Sequence, residues 1–143
     1  MLTHVIDMRF MFQGCSSLKQ LNISNFNTSK VFSMYQMFYM CSSLKELNLS
    51  HFNTKNVDNM YCMFNGCSSM EKLNLSNFDT SKVKTMYCMF LECRSLKELN
   101  FPNFTGKYST IKDNMFDGCD ELKKNDEWKN IIKKRSHKSC LVF

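Results

Sequence analysis

The chain ends in Cys140-Leu-Val-Phe143, one thiol followed by two aliphatic residues and a terminal aromatic. That order is the C-a-a-X pattern on which a prenyltransferase joins an isoprenoid to the cysteine sulfur. Phe in the last place points to geranylgeranyl more than farnesyl. One lipid chain holds a protein to a bilayer only marginally, so a second attractive feature is required. Lys129, Lys133, Lys134, Arg135 and Lys138 supply it just upstream, each adding about 1 kcal/mol beside an anionic leaflet. Residues 1–128 carry fourteen Lys and Arg against thirteen Asp and Glu, so the formal net charge of +6 sits almost wholly in this tail. Cys140 is therefore the candidate lipidation site, and the five basic residues are the candidate membrane contacts. Nucleic acid is not expected as a partner, because no aromatics interleave with these charges as base-stacking platforms.

Other residues that could do chemistry are fewer than the eight cysteines suggest. Cys62-x4-Cys67 and Cys88-x4-Cys93 are spaced pairs of the kind that hold zinc. On a helical wheel, however, Cys62 and Cys88 point nearly opposite to the apolar stripe that contains Cys67 and Cys93, so no metal site is expected. That geometry leaves Cys62 and Cys88 as exposed thiols open to oxidation or palmitoylation. His4, His51 and His137 lie in no H-E-x-x-H or nucleophile-elbow context. Four glycines provide no phosphate-cradling loop. The expectation is a chain that is not an enzyme and takes no cofactor beyond the covalent isoprenoid. Sequons at Asn22, Asn27, Asn48, Asn74 and Asn103 follow from a repeat and are not read as glycan sites.

That repeat is what must position everything else. Cys15, Cys41, Cys67, Cys93 and Cys119 recur every 26 residues, and the first two units agree at 16 of 26 positions. A fixed period of this length marks a stacked-repeat architecture. Each unit has two halves. The first reads Leu18-x-x-Leu21-x-Ile23 and recurs at Leu44, Met70 and Leu96. Its alternating end suits a short strand with one buried face. The turn that follows, residues 24–28 and its copies, is rich in Asn, Ser and Thr, which bond their own backbone. The second half reads Val31-x-x-Met34-x-x-Met37-Phe38-x-x-Cys41. Steps of three, three, one and three predict one stripe of a helix, capped by Thr28 or Ser29 and laid against the sheet. The five comb cysteines are then a buried, reduced column. Trp128-x-x-Ile131-Ile132 predicts a short amphipathic cap over the open end, begun by Asn125 or Asp126.

The unit Cys-Ser-Ser-Leu-Lys-x-Leu-Asn-Leu-Ser-Asn-Phe-Asn-Thr-x-x-Val-x-x-Met-x-x-Met-Phe resembles the BspA-like leucine-rich repeats, over about residues 5–122. That family comprises bacterial surface proteins, many of them in mycoplasmas, and large sets in parasitic protists. The resemblance implies a curved leucine-rich solenoid with a binding or adhesion role. Phe26, Phe52, Phe78 and Phe104 stand where many such repeats carry an asparagine ladder, so a phenylalanine spine is expected there.

The expected fold is α/β: a leucine-rich-repeat solenoid of 26-residue strand–turn–helix units stacked in a parallel sheet. Residues 1–124 form the solenoid, 125–139 a capping segment and basic tail, and 140–143 the C-a-a-X box. The sheet face is the usual binding surface of such stacks. Here it presents Lys19, Gln20 and Asn22, then Lys45, Glu46 and Asn48, then Glu71, Lys72 and Asn74, then Lys97, Glu98 and Asn100. The first residues have no basic segment followed by an apolar one, so a cytosolic chain with reduced thiols is expected. The functional expectation is a non-catalytic protein-interaction module. It takes a protein partner on the sheet face and sits on the cytosolic face of a membrane, the plasma membrane foremost. The alternatives are a surface adhesion protein of the BspA-like type, which binds host or matrix proteins, and a decayed repeat fragment.

Overall fold

The computed structural model describes residues 5–103 and 114–136, with side chains described through Ile132 in the last helix. Two three-residue strands fall on the Leu-x-Leu segments: β1 (Lys72–Asn74) and β2 (Glu98–Asn100). They pair in parallel with Lys72 opposite Glu98, Leu73 opposite Leu99 and Asn74 opposite Asn100. The offset is one repeat, so equivalent repeat positions stand side by side. In both strands the central leucine is buried and its neighbours are exposed, which is the period of two that a half-buried strand requires.

The second half of each repeat corrects the helical expectation. Among the described residues no helix forms there. The chain instead steps through successive four-residue turns. Met37 N–H donates to Met34 O, Tyr39 N–H to Gln36 O, and Cys41 N–H to Phe38 O, at 3.2 Å each. A chain of such turns brings every third residue to the same side, so it produces the same apolar spacing as a helix. Val31, Met34, Met37, Phe38 and Cys41 are all fully buried even though none is helical.

What selects turns over helix is the backbone between repeats. Phe10, Phe12 and Gly14 N–H donate to the carbonyls of Tyr35, Met37 and Tyr39 at 2.7–3.0 Å. The pattern recurs one repeat later from Gln36, Phe38 and Met40, and again from Cys62, Phe64 and Gly66. Isolated parallel bridges tie Asp7 to Ser33, Ser33 to Asn59, and Asn59 to Thr85. A helix would spend these groups within itself. The turns free every second N–H for the neighbouring repeat, where its partner is the equivalent segment in register.

The first and last turns of each set, but not the one between them, take a positive φ at the third residue, as in a type II turn. Phe10, Gln36, Cys62 and Cys88 take it in the first turn (φ 52 to 62°). Gly14, Met40, Gly66, Glu92 and Gly118 take it in the last (φ 60 to 76°). The glycine-bearing column is where an L side chain is least welcome, and Met40 and Glu92 hold that conformation without glycine's freedom.

Thr28 also departs from expectation. It caps no helix; its buried hydroxyl donates to Asn53 O at 3.2 Å and accepts from Asn53 N–H at 2.7 Å. Thr54 makes the same pair of bonds to Asp79. Phe52 and Phe78 are buried and Phe26 is half-buried, whereas Phe104 lies outside the described residues. The parallel ring stack itself runs through the other phenylalanine column. Phe12, Phe38, Phe64, Phe90 and Phe116 stack with centroids 5.5–5.8 Å apart and planes within 12°.

At the C-terminal end a 3-10 turn (Leu122–Lys124) leads into α1 (Asp126–Ser136). Asn125 caps α1, its Oδ1 accepting from Glu127 N–H at 3.0 Å and Trp128 N–H at 3.4 Å. Asp126 and Glu127 fill the first turn, where negative charge is favoured by the helix dipole. Trp128 is buried against Phe116 and donates its indole N–H to Leu99 O at 3.1 Å.

Candidate functional site

The twelve residues of the expected partner face are brought to one side. Glu71 is half-buried; Lys19, Gln20, Asn22, Lys45, Glu46, Asn48, Lys72, Asn74, Lys97, Glu98 and Asn100 are exposed. Strand alternation accounts for this in β1 and β2, where Leu73 and Leu99 point inward. The expected strands at residues 21–23 and 47–49 do not form, though Leu47 takes the matching buried place. Over part of this face lies a shallow concavity of about 1420 Å³. Gln20, Glu46, Lys72 and Glu98 run along it, Asn22, Asn48, Asn74 and Asn100 run beside them, and Asn125, Glu127, Trp128 and Ile131 line its C-terminal end. Lys19 and Lys45 belong to an adjoining hollow with Ser43, Ser69 and Glu71.

The polar columns differ in how far they are already engaged. Asn22, Asn48 and Asn74 each accept the backbone N–H two residues on, at 3.0–3.1 Å, so their carbonyl ends shape the turn. Asn100 Nδ2 donates to Asn74 Oδ1 at 3.2 Å, a link between repeats. Lys72 Nζ lies 2.7 Å from Glu98 Oε1, and Lys97 Nζ lies 3.3 Å from Glu71 Oε2. The hydrogen bond that Lys72 donates to Glu98, then the Glu98 charge, raises the Lys72 ammonium above its ordinary value. Pairs this exposed add little to stability, which leaves their charges available to an incoming surface.

The thiols fall into two sets that sequence spacing alone did not separate correctly. Comb thiols donate to a carbonyl of the preceding repeat: Cys41 Sγ to Phe12 O, Cys67 to Phe38 O, Cys93 to Phe64 O and Cys119 to Phe90 O, at 2.9–3.2 Å. Cys15 is half-buried. Cys62 and Cys88, expected on an exposed helix face, are buried instead. The turn that replaces the helix brings both positions inward, and the adjacent Tyr61 and Tyr87 rings stack at 5.5 Å. All seven described cysteines are free thiols. Among the described residues no three His, Cys, Asp or Glu side chains gather as a metal site.

Burial pushes the Cys41 thiol up to about 11 and the Cys119 thiol up to about 12, and it raises Cys67 and Cys93 as well. An unfolded thiol loses its proton near pH 8.5, at about its ordinary value. The folded state therefore holds these protons more tightly. The stability this gives is complete below about pH 8.5 and is lost as pH rises through the folded values. Thermal melts should show a lower midpoint at pH 10 than at pH 8, and Cys67→Ala should flatten that decline. A midpoint that does not move would contradict the protonated comb.

Of the expected membrane contacts, Lys129 is exposed on α1. The backbone of Lys133, Lys134 and Arg135 lies in α1, while Lys138 and Cys140 lie outside the described residues. No helix among the described residues is long and apolar enough to cross a membrane.

Sequence reasoning missed the left-handed turn columns. The signal was present: Gly14, Gly66 and Gly118 recur at the same place in alternate repeats, and a recurring glycine inside an apparent helix speaks for a turn. Compared with known proteins, residues 6–130 match a family described as "Mycoplasma protein of unknown function, DUF285". No curated protein and no solved structure matches.

Proposed function

We propose, since the chain belongs to the DUF285 family, that it is a non-catalytic protein-interaction module. In this reading it is a leucine-rich-repeat solenoid whose sheet face takes a protein partner. The tail holds it to the cytosolic face of a membrane, foremost the plasma membrane, through an isoprenoid on Cys140 and the charges of Lys129, Lys133, Lys134, Arg135 and Lys138.

The observation that carries this reading is the exposed, mixed-charge face between Gln20 and Glu98, with Trp128 at its end. The register of the repeats sets the backbone positions of this face in rows. A partner therefore meets a preorganised surface and orders little on binding. The tail supplies the second of the two features that stable anchoring needs.

Cell fractionation tests both halves. The wild type should sediment with membranes and have an intact mass lacking the last three residues and carrying one isoprenoid. Cys140→Ser should move to the soluble fraction. A photo-crosslinker at Asn74 should capture a partner, and reversing Glu46, Lys72 and Glu98 should abolish capture without altering the circular dichroism spectrum. An unmodified Cys140 in the native protein removes the anchor, and unchanged capture by the reversed variant removes the face.

The Mycoplasma description of the family favours a second reading, surface adhesion of the BspA-like type. Protease shaving of intact cells separates the two. Loss of the protein while cytosolic markers survive supports adhesion.

A further inference from the structure

We propose that Cys62 and Cys88 form a reversible disulfide that locks two neighbouring repeats together, made by exchange with a low-molecular-weight disulfide. The two residues are one repeat apart and occupy the same place in it. Each is the third residue of a turn, with φ of 52° and 54°, so their Cα–Cβ bonds leave neighbouring repeats in the same direction. Cys62 N–H donates to Tyr87 O at 2.9 Å, which fixes the two backbones side by side. Backbones joined side by side through such N–H to carbonyl bonds lie about 4.8 Å apart, within the roughly 4.4–6.8 Å Cα separation that a disulfide spans.

The comb cysteines also repeat every 26 residues, but their geometry directs them elsewhere. Each comb thiol from Cys41 onward donates to a backbone carbonyl and lies 0–1 % exposed. Cys62 and Cys88 are 4 % and 5 % exposed, and Cys62 Sγ accepts from Asn65 Nδ2 at 3.5 Å. They therefore lie under a thin cover rather than in the core. The same column holds Phe10, Gln36 and Asn114 in the other repeats, so one lock forms per chain.

The exchange proceeds in two steps. One thiol gives its proton to solvent, and its sulfur attacks a sulfur of the small disulfide. A mixed disulfide forms, and one small thiolate leaves and takes up a proton. The second cysteine then loses its proton and attacks the protein sulfur of the mixed disulfide. The Cys62–Cys88 bond forms and the second small thiol leaves. The protein is oxidised by two electrons and the small disulfide is reduced to two thiols. Burial, then the neighbouring Cys62, pushes the Cys88 thiol up to about 11. Thiolates are the attacking species, so attack by Cys88 is slow near neutral pH and speeds up as pH rises.

The test uses the full chain and glutathione disulfide. After incubation and quenching by acid, intact mass should fall by two hydrogens, and the loss should reverse with dithiothreitol. Tryptic residues 56–72 and 85–94 should travel as one linked species. Those peptides also hold Cys67 and Cys93, so Cys62→Ser and Cys88→Ser must each abolish the link while Cys67→Ala and Cys93→Ala retain it. The oxidised protein should melt about 5–10 °C higher, because the bond closes a loop of some 25 residues. Retention of the link in Cys62→Ser overturns the proposal. So does a folded wild type that gains only mixed disulfides, or one that links only in denaturant.

Discussion

Phe64→Ala is expected to cost about 3–5 kcal/mol of folding stability. Phe64 is fully buried in the middle of the ring stack, 5.6 Å from Phe38 and 5.8 Å from Phe90, with planes 3–4° from parallel. Its removal takes away the apolar transfer energy and leaves a cavity that two flanking repeats must share. Each stacked ring pair that disappears adds about 0.5–1.5 kcal/mol. The backbone N–H of Phe64 also joins two repeats through Met89 O, so the flanking turns cannot close the gap without breaking their register. The melting midpoint should fall by roughly 10 °C or more. Phe12→Ala supplies the internal comparison. That ring is half-buried and stacks at the N-terminal edge of the same column, so its loss should cost distinctly less. Stacks of repeats depend on interfaces between nearest neighbours, so the central variant should also broaden the transition as the two flanks begin to melt separately. Equal costs at Phe12 and Phe64 would mean that the ring stack does not set stability.

Much of the core was legible in the sequence. Val31, Met34, Met37, Phe38, Cys41 and Leu44 were expected inside and are inside. The secondary structure of that segment was not legible from spacing, because a period near three belongs equally to a helix and to a chain of four-residue turns. What separates the two is the destination of the backbone N–H groups. A single repeat carries no information about a neighbour until the neighbour is placed beside it. The error then propagated to the site. A helical wheel puts Cys62 and Cys88 on an outer face, whereas the positive-φ turn brings them inward. The sheet face escaped this error because strand alternation depends only on a period of two, and Lys72, Leu73 and Asn74 follow it. Trp128 shows what can be read when a residue is chemically unusual. A large indole after a decaying repeat needs both apolar cover and a hydrogen-bond acceptor, and the end of the stack offers both.

Trp128→Ala should destabilise the chain by about 3–5 kcal/mol, for a reason distinct from that at Phe64. Asn100 O faces back toward β1, where Leu75 N–H donates to it at 2.8 Å. Carbonyls alternate along a strand, so Leu99 O faces the other way, toward the place a further strand would occupy. The Trp128 indole N–H takes that carbonyl at 3.1 Å while its ring covers Phe116. One side chain thus satisfies an edge acceptor and closes the apolar end of the stack. Alanine removes both functions. Trp128→Phe keeps most of the cover and leaves Leu99 O unpaired, at a cost of about 1–3 kcal/mol. The two variants therefore divide the cap into packing and hydrogen bonding. An open edge is a template for pairing with another chain, so Trp128→Ala should also self-associate on light scattering at concentrations where the wild type stays dispersed. Trp128→Phe should associate far less, since its ring still blocks the approach. If Trp128→Ala melts within about 1 kcal/mol of the wild type and stays dispersed, the end of the stack does not depend on this residue, and the cap assignment fails.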